Sequence, residues 1–231
     1  MQTYKTALIV GTGPGLSASL ARLFALHGIK VALAARSIDK LSSLTKETGA
    51  KAFACDATKS AEVEALFASV EAAFGAPDAV VYNASYRTRG PLAELDPAEV
   101  EKSISVSAFG GFLVAQAAVK RMLPAGRGAI LFTGASASVK GYAQSAPFAM
   151  GKFALRGLAQ SLAREVSPRG VHVAHVVIDG GIRSERRPAS VEQPDALLDP
   201  DAIAATYWAI MQQPRSAWTF ETEVRPWVEN F

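Results

Sequence analysis

Along the chain, short apolar runs alternate with longer stretches in which apolar residues recur every three or four positions. The runs are 6–10 (TALIV), 30–35 (KVALAA), 51–55 (KAFAC), 78–82 (DAVVY), 128–133 (GAILFT) and 171–178 (VHVAHVVI). They are apolar throughout rather than alternating, the mark of strands covered on both faces. Helical patterns lie between them, at roughly 15–27, 38–48, 60–74, 97–122 and 147–167. A further helix is predicted over 199–212, with Asp199 as N-cap and Pro200 at its first position. The ending SAWTFETEVRPWVENF offers a last strand. This alternation predicts an α/β fold, a three-layer doubly wound parallel sheet of about seven strands. Ligands of such sheets bind beyond the carboxyl ends of the strands. The loops after residues 10, 35, 55, 82, 133 and 178 are therefore the ones to inspect. The segment 179–198, long, charged and rich in Gly and Pro, reads as a lid over the site.

Composition narrows the picture. The 231 residues suit one large domain, and 49% hydrophobic with 19% charged is ample for a core. The 24 Lys and Arg are scattered and the net charge is only +3, so no nucleic-acid stripe is expected, and RSERRP at 183–188 reads as a solvated mobile loop. The single cysteine, Cys55, permits no intrachain disulfide, suits a reducing cytoplasm, and reads as packing rather than as a nucleophile. His27, His172 and His175 show no metal-ligand spacing, and His172 and His175 point to opposite faces of a strand. The start, MQTYKTALIVGTG, reads as neither signal peptide nor membrane span.

The strand-end loops carry the chemistry. GTGPGL follows the first strand and opens a helix. Gly11, Gly13 and Gly15 permit a tight turn and a close backbone approach, Pro14 sits among them, and Leu16 begins a helix whose free amides suit a phosphate. After the second strand stands Arg36, where NAD sites place an acid for the ribose 2′-hydroxyl. A guanidinium pairs with a 2′-phosphate, so NADP(H) is expected over NAD(H); the plainer alternative is an arginine at a helix start. After the third strand, Asp56, with Ala57 beside it, is placed either to accept from an adenine amino group or to cap the next helix, for which Ser60 is better placed. After the fourth, Asn83 with its small neighbours Ala84 and Ser85 can fasten strands beside a cofactor or serve as an ordinary turn.

In joint order and spacing these residues resemble the short-chain dehydrogenase/reductase family, from Lys5 to about Ile182. Its TGxxxGxG pattern falls on 10–17, with Val10 for the threonine, Gly11 and Gly15 matching, and Ser17 for the last glycine. YNAS at 82–85 stands for NNAG. In VIDGGI, Asp179 replaces the proline of the PG motif, Gly180 matches, and Ile182 could offer backbone groups to the nicotinamide carboxamide. The resemblance implies a Rossmann-type domain and a YxxxK pair, with a serine about thirteen residues earlier and an asparagine on the preceding helix. Tyrosine protonates the substrate carbonyl as hydride arrives, lysine holds the nicotinamide ribose, and serine positions the oxygen. Here Lys152 matches the lysine, but Phe148 takes the tyrosine position, Ala135 the serine position with Ser136 one step off, and Ser107 the asparagine position. Ser136 and Tyr142, in the loop before the helix, are the candidate replacements, with turn chemistry and packing as their plainer readings.

The leading expectation is an NADP(H)-dependent oxidoreductase reducing a carbonyl, enone or quinone with a non-standard proton donor. Competing readings are a nucleotide-binding protein without turnover, such as a sensor or partner subunit, and a methyltransferase suggested by GTGPG, against which Arg36 and Lys152 speak. The expected partner is a small-molecule substrate, with no metal, nucleic acid or membrane. Arg87 and Arg89 face an anionic substrate or, the plainer reading, are solvated loop residues. Wide apolar faces on 97–122 and 147–167 predict a homodimer or homotetramer.

Overall fold

The computed structural model describes residues 3–229. Seven parallel strands form one sheet in the order β3-β2-β1-β4-β5-β6-β7. They are β1 (Thr6–Val10), β2 (Lys30–Ala35), β3 (Lys51–Ala54), β4 (Ala79–Tyr82), β5 (Gly128–Thr133), β6 (Val171–Ile178) and β7 (Glu221–Val224). The helices are α1 (Leu16–Leu26), α2 (Ser42–Thr48), α3 (Ser60–Phe74), α4 (Pro97–Ile104), α5 (Gly110–Ala125), α6 (Ala146–Val166) and α7 (Pro200–Met211).

The two-residue period of a strand splits the core in two. Ala7 and Ile9 of β1, with Ala79 and Val81 of β4, face α1 and α7. Leu8 and Val10, with Val80 and Tyr82, face α3, α5 and α6. Strand order reverses between β1 and β4, which opens a crevice at their carboxyl ends.

The stretch expected as one helix over 97–122 is α4, a π turn at Ser105–Phe109, and α5. One cause is the Tyr82 hydroxyl, which donates to the Val106 carbonyl at 2.5 Å. A second is the close fit of Tyr82 on Gly110, where a Cβ would lie 2.4 Å from the phenol oxygen. By length and composition Pro97–Ala125 is apolar enough to cross a bilayer, and half of its most apolar window is buried inside the domain. The pattern at 38–48 begins as a 3₁₀ turn at Asp39–Leu41 before α2. Ser60 does not cap α3: it is the first helical residue, Lys59 precedes it, and no side chain accepts from the helix start. Asp199 does cap α7, accepting from the Asp201 amide at 2.9 Å.

Candidate active site

Two adjoining cavities of about 440 and 450 Å³ lie along the carboxyl ends of the strands and share Gly11, Asn83 and Ser85. Between them runs the glycine turn. Gly11 has φ +87°, and a Cβ there would lie 2.3 Å from the Ala84 amide nitrogen, so packing of β1 on β4 demands glycine. Gly13 and Gly15 differ: a Cβ on either would meet no protein atom within 4 Å. Their bareness serves the open side, where a ligand backbone would lie. The α1 start has no side-chain cap and no acid in its first turn, which leaves the amides of Leu16 and its neighbours free for an anion. Pro14 is exposed and is not part of either lining. Ser17, in place of the family's glycine, is buried and ties the turn together. Its hydroxyl donates to the Gly11 carbonyl at 3.1 Å and accepts from Asn83 Nδ2 at 2.7 Å. The Asn83 amide donates to the Val10 carbonyl at 2.8 Å, so Asn83 fastens β4 to β1.

The first cavity holds Arg36, Ser37 and Lys40 at one wall and Asp56, Ala57, Ala84 and Ser85 at the other. Arg36 is exposed and finds no acidic partner among the described residues. Asp56 does not cap α3. Its Oδ1 accepts from the Thr58 amide at 3.0 Å and hydroxyl at 2.8 Å. Burial works against its charge, but the Thr58 donors, with Lys59 and Arg36, hold the carboxyl below its ordinary range. Cys55, behind this wall, is buried, and burial, with Glu62 and Asp56 nearby, pushes its thiol up to about 11.

The second cavity is built around Lys152. The side chain is 3% exposed and its ammonium donates to the Thr133 carbonyl at 2.7 Å. It does not reach solvent, and burial pushes the amine down to about 8. Thr133 is held in turn by the Tyr207 hydroxyl, 2.8 Å from its own. Phe148 is buried one turn before Lys152 and lines the same cavity with Ser136, Gly180 and Ile182. Tyr142 does not join them. It is 46% exposed, outside the lining, with the Lys140 ammonium 5.8 Å from its ring centre. Asp179 is buried and paired with Lys140 at 3.4 Å, which explains how a carboxylate is housed where the family has proline. Ser107 is buried in the π turn, away from the lining, with Gly151 of α6 close against it.

Arg87, read from the sequence as facing an anionic substrate or as a solvated loop residue, is exposed and lines the mouth of this second cavity, its guanidinium carbon 4.5 Å from the centre of the Phe148 ring. The only pointer to it in the sequence was its place five residues past β4. His172 and His175 are structural: His172 stacks on Trp218 with centroids 4.6 Å apart, and His175 Nδ1 lies 2.9 Å from Glu221. Among the described residues no three His, Cys, Asp or Glu gather as a metal site.

A doubly wound parallel sheet with a bare glycine turn at the reversal of strand order and a buried lysine beyond it defines a dinucleotide-binding enzyme domain. The short chain dehydrogenase family model matches residues 5–194, and the chain belongs to that family. It is 32% identical to D-threitol dehydrogenase of Mycolicibacterium smegmatis over 73% of this chain and 67% of that protein. It is 30% identical to short chain aldehyde dehydrogenase 1 of Euphorbia lathyris over 87% and 71% of the two chains. A short-chain dehydrogenase structure from Rhodopseudomonas palustris superposes with TM-score 0.84 at 34% identity, covering 96% of this chain and 99% of that one. A metagenomic short-chain oxidoreductase in complex with NADP gives 0.85 at 29%, over 97% and 98%. The methyltransferase reading falls with this assignment.

Proposed function

We propose that this protein is an NADP(H)-dependent oxidoreductase that reduces a carbonyl, or a conjugated enone or quinone, using a proton donor other than tyrosine. The observation that carries the proposal is Lys152: a lysine buried to 3% exposure at the cavity wall is a destabilising choice that packing does not require. The cofactor would supply the hydride. The chain's residues would hold it: the turn amides and α1 start would take the pyrophosphate, Arg36 the 2′-phosphate, Asp56 the adenine amino group, Lys152 the nicotinamide ribose, and the backbone of Gly180 and Ile182 the carboxamide. The neighbour solved with NADP supports the same choice of cofactor.

Phe148 supplies no proton. Among the protic groups lining this cavity are the Ser85 and Ser136 hydroxyls and the Lys152 ammonium. The last, with its amine pushed to about 8, gives up a proton most readily near neutral pH. Ser136 donates to the acceptor oxygen. With hydride supplied to the carbonyl carbon by a bound cofactor, the oxygen would take its proton from the Lys152 ammonium, which would be recharged through the cavity that it lines. Loss of a well-placed acid costs roughly 10²–10⁴-fold in rate, which favours acceptors that need little acid assistance.

Phe148 favours one other reading, binding without turnover, and one experiment separates the two. NADPH and NADH are titrated calorimetrically into the wild type and Arg36→Ala, and NADPH oxidation is then followed with carbonyl, enone and quinone acceptors. The expected result is micromolar NADPH affinity that falls roughly 10–100-fold in Arg36→Ala, with NADH nearly unchanged, and turnover of an acceptor. NADPH binding with no turnover supports the second reading; no binding of either nucleotide defeats both. We also propose that the protein works as a homodimer or homotetramer on a small-molecule substrate.

A further inference from the structure

The cavity around Lys152 is charged in one sense only. Lys152, Arg87 and Arg183 line it, and no carboxylate does. Of the acids on its margin, Asp199 is taken by Arg183 at 2.6 Å and Asp179 by Lys140 at 3.4 Å, while Glu229 lies behind Gly180, its Oε2 3.3 Å from where a Cβ of that residue would be. Arg87 is left over: among the described residues it has no ion pair and no hydrogen-bond acceptor. Burial, with Arg89 and Arg187, holds its guanidinium below the ordinary arginine range, so the free protein leaves a cation there that its surroundings disfavour. Arg187 adds to this from the strap between β6 and α7, its Nη1 filling space that opens because residue 181 is glycine.

The place of Arg87 says what would satisfy it. Its guanidinium carbon lies 4.5 Å over the Phe148 ring centre, and Lys152 Nζ lies 5.8 Å from the same point. A guanidinium resting over an aromatic face keeps N–H donors unused, and a fork of two such donors grips a carboxylate with parallel hydrogen bonds. The cofactor phosphates would have other donors, the glycine turn and the α1 start.

Resting on the oxidoreductase reading above, we infer that the substrate is a small oxo or unsaturated carboxylic acid, whose carboxylate is clamped by Arg87 beside the reacting carbon. Phe148 then has a positive role. The phenyl ring gives the guanidinium an apolar face to rest on at the cavity mouth. A cavity of about 440 Å³ shared with half of a dinucleotide leaves room for a small acid only.

The test uses NADP⁺, which permits binding without reduction. Phenylglyoxylate and its neutral methyl ester are titrated calorimetrically into NADP⁺-saturated wild type, Arg87→Gln and Arg87→Lys. The acid is expected to bind the wild type at least about tenfold more tightly than the ester, a modest share of what a charge-assisted pair provides. Arg87→Gln is expected to erase that preference and Arg87→Lys to keep part of it. Equal binding of acid and ester by the wild type overturns the inference, as does a preference that survives in Arg87→Gln. A tenfold loss of NADP⁺ affinity in Arg87→Gln also overturns it, because the arginine would then serve the cofactor. If NADP⁺ fails to bind the wild type, the oxidoreductase reading fails by itself, and the same acid–ester comparison on unloaded protein decides the anion site separately.

Discussion

Lys152 is where sequence, stability and function meet in one side chain. Burial lowers its amine from 10.5 to about 8, a difference of roughly 3 kcal/mol against the folded state when the amine is charged. The unfolded chain keeps its proton up to about pH 10.4, whereas the folded chain releases it near pH 8, so the unfolded state binds more protons between those values. This group therefore makes stability rise with pH from about 8 to 10, and its penalty is fully present below pH 8. Lys152→Met should raise the unfolding free energy at pH 7 by roughly 1–3 kcal/mol, less the lost bond to Thr133, while turnover disappears. Melting curves of both proteins from pH 7 to 10 check this: a lower Tm for the variant at pH 7, or an unchanged rise with pH, would sink the idea. The YxxxK spacing, read against the family, marked Lys152 and the odd Phe148. For Arg87 the sequence left two readings open, because a loop arginine acquires its role from the ring it lands on, and that ring lies 61 positions along the chain.

At the scale of elements, the strands read plainly. β1, β2, β5 and β6 begin and end where their apolar runs do, since a strand buried on both faces admits a polar residue only where it finds a partner, as His172 and His175 of β6 do at Thr219 and Glu221. The junction of α4 and α5 did not. The apolar spacing across 97–122 fits one helix, and the extra residue of a π turn leaves little trace in such a pattern. It depends on Tyr82, fully buried on β4, whose hydroxyl is bonded to Val106. Tyr82→Phe removes that donor and little else, so it should cost roughly 1–3 kcal/mol. The urea midpoint should fall with the slope unchanged. A midpoint within error of the wild type would show that the turn holds without the tyrosine.

For the whole molecule, Phe109 and Phe112 on one helical stretch and Met150 and Phe153 on α6 stay half-exposed, though α5 and α6 pack against each other. Large apolar side chains left in water on neighbouring helices suit a twofold interface. Light scattering at micromolar concentration should therefore give at least twice the 24.3 kDa of one chain, and the double variant Phe112→Glu, Phe153→Glu should return it to a monomer. A wild-type mass of one chain would refute the assembly.

The alternation of strands and helices, the glycine turn, Arg36 at the second strand end and the lysine on the last crossover helix are local matters of period and spacing, and so they stand in the linear text. Other features come from chain segments that meet only after the sheet has closed. Ser17 meets Asn83 and Lys140 meets Asp179, so each substituted family position finds a partner that no local pattern names. Tyr142 turns outward with Lys140 while Arg87, itself exposed, lies over Phe148 at the cavity mouth. A side chain's neighbours across the fold are set by where the backbone returns, and that information is spread over the whole chain rather than held at any one position.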